Sequence, residues 1–179
     1  MGTTVKHPAT NGYYKVTATD TVEYIKPIKK KVSTVTIPDS VNLKGANYKV
    51  TSIAAKAFKS NKYLKKAIIG NNVIQIKSYA FYKCTKLSYV QIGGSVKAIG
   101  KQSFYGCKKL KTITIRSKKL TSKTVSKNAF KGLTKITTIK VPRKKLTAYK
   151  IYVPRKKAKS YKTVFVKRGI SKKIVIKKM

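Results

Sequence analysis

The sequence predicts an α/β solenoid in which coils of about 23 residues stack along one axis. Each coil is expected to be a short parallel strand, a turn, a short helical segment and a return. Three observations carry this. The stretch 76–92, IKSYAFYKCTKLSYVQI, recurs at 99–115 as IGKQSFYGCKKLKTITI and at 53–69 as IAAKAFKSNKYLKKAII, with a looser copy, VSKNAFKGLTKITTIKV, at 125–141. Apolar residues hold the same places in every copy, so one coil can cover the apolar side of the next. The period breaks at both ends, where a solenoid needs caps against solvent: a β-rich cap at the N-terminus, a helix plus a strand at the C-terminus.

Taken in order, residues 1–11 are expected to be a disordered tail, 12–52 a β-hairpin cap with the first coil, 53–141 the repeats, and 142–179 a basic C-terminal cap. Within the N-terminal cap, 13–17 and 22–25 alternate as strands do, separated by Ala18-Thr19-Asp20-Thr21. Pro27 ends the second, and Lys29-Lys30-Lys31 reads as an exposed turn. Val35 and Ile37 supply the first inward pair; they precede Ala67 and Ile69 by more than one period, so an insertion intervenes. That insertion contains Lys44-Gly45-Ala46-Asn47, which reads as a hairpin turn.

In the best copy the core set is Ile76, Ala80, Phe81, Cys84, Leu87, Val90 and Ile92. Phe81, Cys84 and Leu87 are three apart, which places them on one face of a helical or 3₁₀ stretch. Val90 and Ile92 are two apart, which points both inward from a strand. The corresponding sets are Ile53, Ala57, Phe58, Leu64, Ala67, Ile69; Ile99, Phe104, Cys107, Leu110, Ile113, Ile115; and Val125, Ala129, Phe130, Leu133, Ile136, Ile139, Val141. Phe58, Phe81, Phe104 and Phe130 should therefore line up. Past Val141, Pro142 and Pro154 each can open a helix, Ala158, Tyr161 and Phe165 recur at helical spacing before Gly169, and Ile174-Val175-Ile176 reads as a last strand.

The pattern I-xxx-A-F-xx-C-xx-L-xx-V-x-I resembles the BspA-like leucine-rich repeats of bacterial surface proteins. It covers about 35–141, and Thr36-Ile37-Pro38-Asp39-Ser40-Val41 is similar to that family's I-P-x-S-V strand exit. Departures are Ser103 for the usual Ala, and Ser60-Asn61 and Leu133 at Cys positions. The resemblance implies a leucine-rich repeat wound as a right-handed superhelix, in a secreted or cell-surface protein that adheres to host or microbial macromolecules. It also implies an extracellular location, with this chain a monomeric fragment of a larger protein whose leader lies outside it.

Cys84 and Cys107 occupy equivalent places in adjacent coils, roughly 5 Å apart by strand spacing. That is within disulfide reach, yet their Cβ vectors should run parallel. Two buried reduced thiols and a disulfide both stand as readings.

Composition narrows function. The chain has 44 Lys and Arg against 3 Asp and Glu in 179 residues, a net charge of +41. No carboxylate side chain follows Asp39, and His7 is the single imidazole. Paired-carboxylate catalysis, an acid-completed triad, calcium or magnesium cages and zinc sites all lack their residues across the repeats. No enzyme, metal or cofactor is expected. The sequence has no apolar run of the roughly 18 residues that a transmembrane helix takes. The excess cation suits a polyanion such as wall teichoic acid, glycosaminoglycan or nucleic acid, or it only solvates the surface. Arg is confined to Arg116, Arg143, Arg155 and Arg168. Bidentate base reading favours Arg, so nucleic acid is expected to bind only non-specifically.

A ligand face can be placed by alternation. With Val90 and Ile92 inward, Tyr89 and Gln91 point outward, and the equivalent pairs are Thr34 and Thr36, Lys66 and Ile68, Thr112 and Thr114, and Thr138 and Lys140. This stripe is the candidate site for a protein or polyanionic ligand. Its threonines equally suit strands with no ligand at all.

Overall fold

A computed structural model describes residues 2–121 and 123–133, and the backbone of 138–141 and 175–178. Two sheets enclose one apolar core. The first has 7 strands in the order β1 (Thr4–His7), β2 (Gly12–Ala18), β3 (Thr21–Pro27), β6 (Ala46–Ile53), β8 (Gln75–Ile76) and β10 (Ala98–Ile99), with β5 (Ser40–Leu43) paired to β6. The second has 6 strands, β4 (Thr34–Ile37), β7 (Lys66–Ile69), β9 (Tyr89–Ile92), β11 (Thr112–Ile115), β12 (Thr138–Val141) and β13 (Val175–Lys178), every neighbouring pair parallel.

The second sheet follows from the sequence period. Val35 pairs with Ala67, Ala67 with Val90, Val90 with Ile113 and Ile113 with Ile139, so each coil places the same residue on the same rung. The longer step before β7 is taken up by the β5–β6 hairpin, whose turn is Lys44-Gly45. Ala46 and Asn47 already belong to β6. β13 adds in register at the far edge, Ile176 beside Ile139, and starts one position later than the strand expected at 174–176. The helix expected between Pro154 and Gly169, and the position of Ile136, lie outside the described residues.

Two expectations are corrected. Of the tail expected at 1–11, residues 2–11 are not disordered: β1 pairs antiparallel with β2, Val5 opposite Tyr14, and a 3₁₀ turn covers Pro8–Thr10. His7 is held there, its Nδ1 2.9 Å from the Thr10 hydroxyl. The helical segments of the coils are absent among the described residues; each is a pair of tight turns instead. The reason lies in the backbone. Each coil carries two residues at positive φ four apart: Lys56 and Ser60, Tyr79 and Lys83, Gln102 and Gly106, Asn128 and Gly132. Left-handed residues interrupt a right-handed helix.

Those turns split their amides between two tasks. The N–H groups of Ala80, Tyr82 and Cys84 donate within the coil to Lys77, Tyr79 and Phe81. The N–H groups of Tyr79, Phe81 and Lys83 donate to the carbonyls of Lys101, Ser103 and Tyr105 in the next coil, at 2.9, 2.7 and 2.7 Å. The coil before repeats this, Lys56, Phe58 and Ser60 donating to Ser78, Ala80 and Tyr82. A third ladder therefore joins the coils beside the two sheets.

The core is a column of rings. Phe58, Phe81, Phe104 and Phe130 stack with centroids 5.0, 5.1 and 5.3 Å apart and planes within 5° of parallel. Tyr24 of β3 continues it at 5.4 Å, and Tyr14 of β2 meets Tyr24 edge-on at 5.4 Å. Such pairs contribute roughly 0.5–1.5 kcal/mol each beyond area burial. Burial pushes both tyrosine hydroxyls above their ordinary pKa, and both find partners: Tyr14 with the Thr10 hydroxyl at 2.8 Å, Tyr24 with the Asn11 carbonyl at 3.3 Å.

Cys84 and Cys107 are free and buried. Their thiols donate to the carbonyls of Phe58 and Phe81 at 2.9 and 3.1 Å, each reaching back one coil. Burial raises the Cys107 thiol well above its usual pKa, with the Cys84 thiol beside it adding to the shift.

Candidate ligand-binding face

The stripe is built by β4, β7, β9, β11 and β12. Backbone register places Thr34, Lys66, Tyr89, Thr112 and Thr138 on one rung and Thr36, Ile68, Gln91, Thr114 and Lys140 on a second. All ten candidate residues are thus brought together as two rows across one sheet. Inward neighbours Val35, Ile37, Ala67, Ile69, Val90, Ile92, Ile113 and Ile115 are buried, as alternation requires.

The rows are not evenly accessible. Thr34, Thr36 and Lys66 are exposed; Ile68, Tyr89, Gln91 and Thr112 are half-buried. Thr114 departs from expectation, for it sits on the outer row yet is 5% exposed. The Tyr89 hydroxyl lies 3.3 Å from its Oγ1 and 3.5 Å from Gln91 Oε1, while the Lys66 ammonium stands 5.6 Å over the Tyr89 ring. Tyr89 is the hub of this face, a flat amphipathic ring with a polar tip.

The carboxylates lie elsewhere and are already engaged. Glu23, buried on β3, meets the Lys77 ammonium at 2.7 Å and the Ser52 hydroxyl at 3.0 Å. Asp20 pairs with Lys49 at 3.0 Å on the surface, and Asp39 accepts from the Asn71 amide. Among the described residues no group of three His, Cys, Asp or Glu side chains could hold a metal, and no helix is long and apolar enough to cross a membrane.

Two concavities lie outside what strand alternation can locate. One, about 500 Å³, runs beside the leading ends of β7, β9 and β11 and is lined by Lys65, Lys86, Ser88, Lys109 and Lys111. The other, about 410 Å³, lies between the end of β3 and the first coil, with Pro27 and Phe58 at its floor and Lys26, Lys30, Lys59 and Tyr63 around it. The sequence does carry a signal for the first. Aligned on the repeat, Lys65, Ser88 and Lys111 share one position and Lys86 and Lys109 another. Alternation identifies outward positions within a strand and is silent on the residues just before it.

Comparison with known proteins agrees with this geometry. A leucine rich cell surface protein from Faecalibacterium prausnitzii is similar in structure, with a TM-score of 0.62 and 25% identity over 80% of this chain and 38% of that one. A leucine-rich repeat protein from Bacteroides capillosus gives 0.64 and 24% identity, over 77% of this chain and 97% of that one. The pneumococcal vaccine antigen PcpA shares the fold at 0.52 and 17% identity, over 79% of this chain and 44% of that one. The chain thus spans well under half of the first of these and nearly all of the second. No curated protein matches it. The sequence itself matches the BspA type leucine rich repeat region in 6 copies over residues 29–153, most of the chain. The chain belongs to the BspA-type leucine-rich repeat family.

Proposed function

We propose that this chain is a non-enzymatic interaction module of a secreted or surface-displayed bacterial protein, adhering to host or microbial macromolecules through the outer face of its second sheet. The leucine-rich repeat is generally an interaction fold, and the observation that carries the reading is the register. Two rows of outward residues cross five parallel strands with Tyr89 at their hub. Sheets of this kind offer an extended surface to a large partner rather than a pocket to a small one. The coils wind as a right-handed superhelix, monomeric and part of a larger protein. Its N-terminal end is closed by the β1–β3 meander, where Tyr14 terminates the ring column edge-on.

A second reading is electrostatic attachment to an anionic polymer, favoured by the net charge of +41. One experiment separates the two. The chain is immobilised and probed with matrix proteins, heparin, DNA and wall polymer at 50 and 500 mM NaCl. Adhesion predicts that one protein binds at both salts, and that Tyr89→Ala with Gln91→Ala weakens it at least tenfold. Attachment predicts polymer binding that vanishes at the higher salt. If nothing binds at either salt, both readings fall and the lysines only solvate the surface.

A further inference from the structure

The groove beside the leading ends of β7, β9 and β11 is unlike the surface around it. The residues before these strands include Lys62, Lys65, Lys86, Lys108, Lys109 and Lys111. The residues after β7 and β9 are Gly70-Asn71-Asn72 and Gly93-Gly94-Ser95, with no charge at all; cations return on that side only after β11, at Arg116, Lys118 and Lys119. The neutral part of the trailing edge is knitted by its own contacts: Asn71 meets Asp39 on one side and accepts the Gly94 amide at 3.2 Å on the other. A uniformly solvating coat of lysine would not distinguish the two ends of β7 and β9.

The lysines also recur coil by coil. Lys65 and Lys111 flank Ser88 in one row, and Lys86 adjoins Lys109 in the next, on coils whose core rings are 5.0–5.1 Å apart. Like charges on neighbouring rungs repel. The sequence supplies no carboxylate side chain after Asp39, and the three it has are engaged on or near the first sheet and at Asn71. Lys65, Lys86 and Lys109 therefore put a line of cations along the groove with no acidic side chain to offset it, and an anion from outside the chain can.

The lining says which anion. It consists of lysine and serine; Tyr63, which lines the other concavity, adjoins it with its ring occupied by the Lys86 ammonium 6.0 Å away. Nucleobases take an aromatic stacking platform, and bidentate recognition takes Arg. A groove of flexible point charges fits instead a slim aliphatic chain with one phosphate per repeat.

We propose that this groove holds a linear polyol-phosphate polymer, lying along the stacking axis so that successive phosphates meet ammonium groups on successive coils. The proposal deepens the second reading above and rests on it.

The test titrates the whole chain calorimetrically with a glycerol-phosphate polymer, and in parallel with heparin and single-stranded DNA, at 50 and 200 mM NaCl. Four phosphate contacts at a slope of about −0.7 each weaken binding about fifty-fold across that range. The variant Lys65→Gln, Lys86→Gln, Lys109→Gln, Lys111→Gln should lose at least tenfold in affinity at 50 mM and most of the salt slope. A control of equal charge, Lys6→Gln, Lys15→Gln, Lys97→Gln, Lys127→Gln, removes exposed lysines outside the groove and should stay within about threefold of the parent. Single Lys65→Gln and Lys109→Gln variants, each lowering the slope by up to about one, guard against a folding defect in the quadruple. Equal losses in variant and control overturn the groove while leaving polymer attachment standing. Tighter binding of heparin or DNA than of the glycerol-phosphate polymer overturns the ligand class. No binding of any polymer at 50 mM overturns the attachment reading itself.

Discussion

Ser103 is buried completely, and its hydroxyl has no hydrogen-bond partner among the described residues. The same place in the other coils is Ala57, Ala80 and Ala129. An unsatisfied buried hydroxyl costs roughly 1–3 kcal/mol. Ser103→Ala should therefore raise stability by about 1–2 kcal/mol, read as a higher urea midpoint at unchanged slope. A lower midpoint would mean the hydroxyl is satisfied after all. Residues of this kind are legible in sequence once the copies are aligned, because the period supplies the comparison. Tyr24 and Tyr14 were not legible. They continue the phenylalanine column from strands outside the repeat, so no alignment of copies brings them beside Phe58. Cys84 and Cys107 were legible as a pair of places, though not as thiols donating to Phe58 and Phe81 carbonyls, since spacing carries no direction.

At the scale of the element, strand and turn differ in how much the sequence discloses. The strands came through because an inward residue must recur both at every second position and at every repeat, a pattern that alternative structures do not share. The turns did not. A spacing of three is common to a 3₁₀ helix and to two consecutive tight turns, and what separates them is the sign of φ at residues such as Tyr79 and Lys83, which carry no sequence mark. The loop after each strand of the second sheet shows how closely the coils approach. A Cβ on Gly93 would run into the Gly70 carbonyl oxygen, and that atom is backbone. One on Gly94 would meet only Asn71 Oδ1, at 3.7 Å. Gly93→Ala should cost about 3 kcal/mol or more, since relief requires two coils to separate. Gly94→Ala should change stability by less than about 1 kcal/mol, with any gain coming through the unfolded chain. Thermal unfolding of the two variants side by side checks the contrast; equal effects would mean the coils are not in contact there.

For the molecule as a whole, charge is the force that packing does not address. A net charge of +41 on 179 residues destabilises a compact state by self-repulsion. Screening shortens the reach of that repulsion from about 10 Å at 0.1 M salt to about 3 Å at 1 M. The thermal midpoint should accordingly rise by several degrees between 0.05 and 1 M NaCl, measured by circular dichroism. A midpoint independent of salt would show that the lysines are too far apart to matter, and would weaken the case for an external anion in the groove. Architecture at this scale was the most legible part of the chain, because one repeated stretch constrains every coil at once. The basic groove was the least, because it belongs to the loops between the repeated signals.

The third ladder, in which the turn amides of one coil donate forward to carbonyls of the next, has a mechanical side. These bonds and those of both sheets lie along the stacking direction, so a pull on the two ends loads them in tension rather than in shear. Coils would then peel off in sequence, each giving way at a modest force and lengthening the chain between its ends.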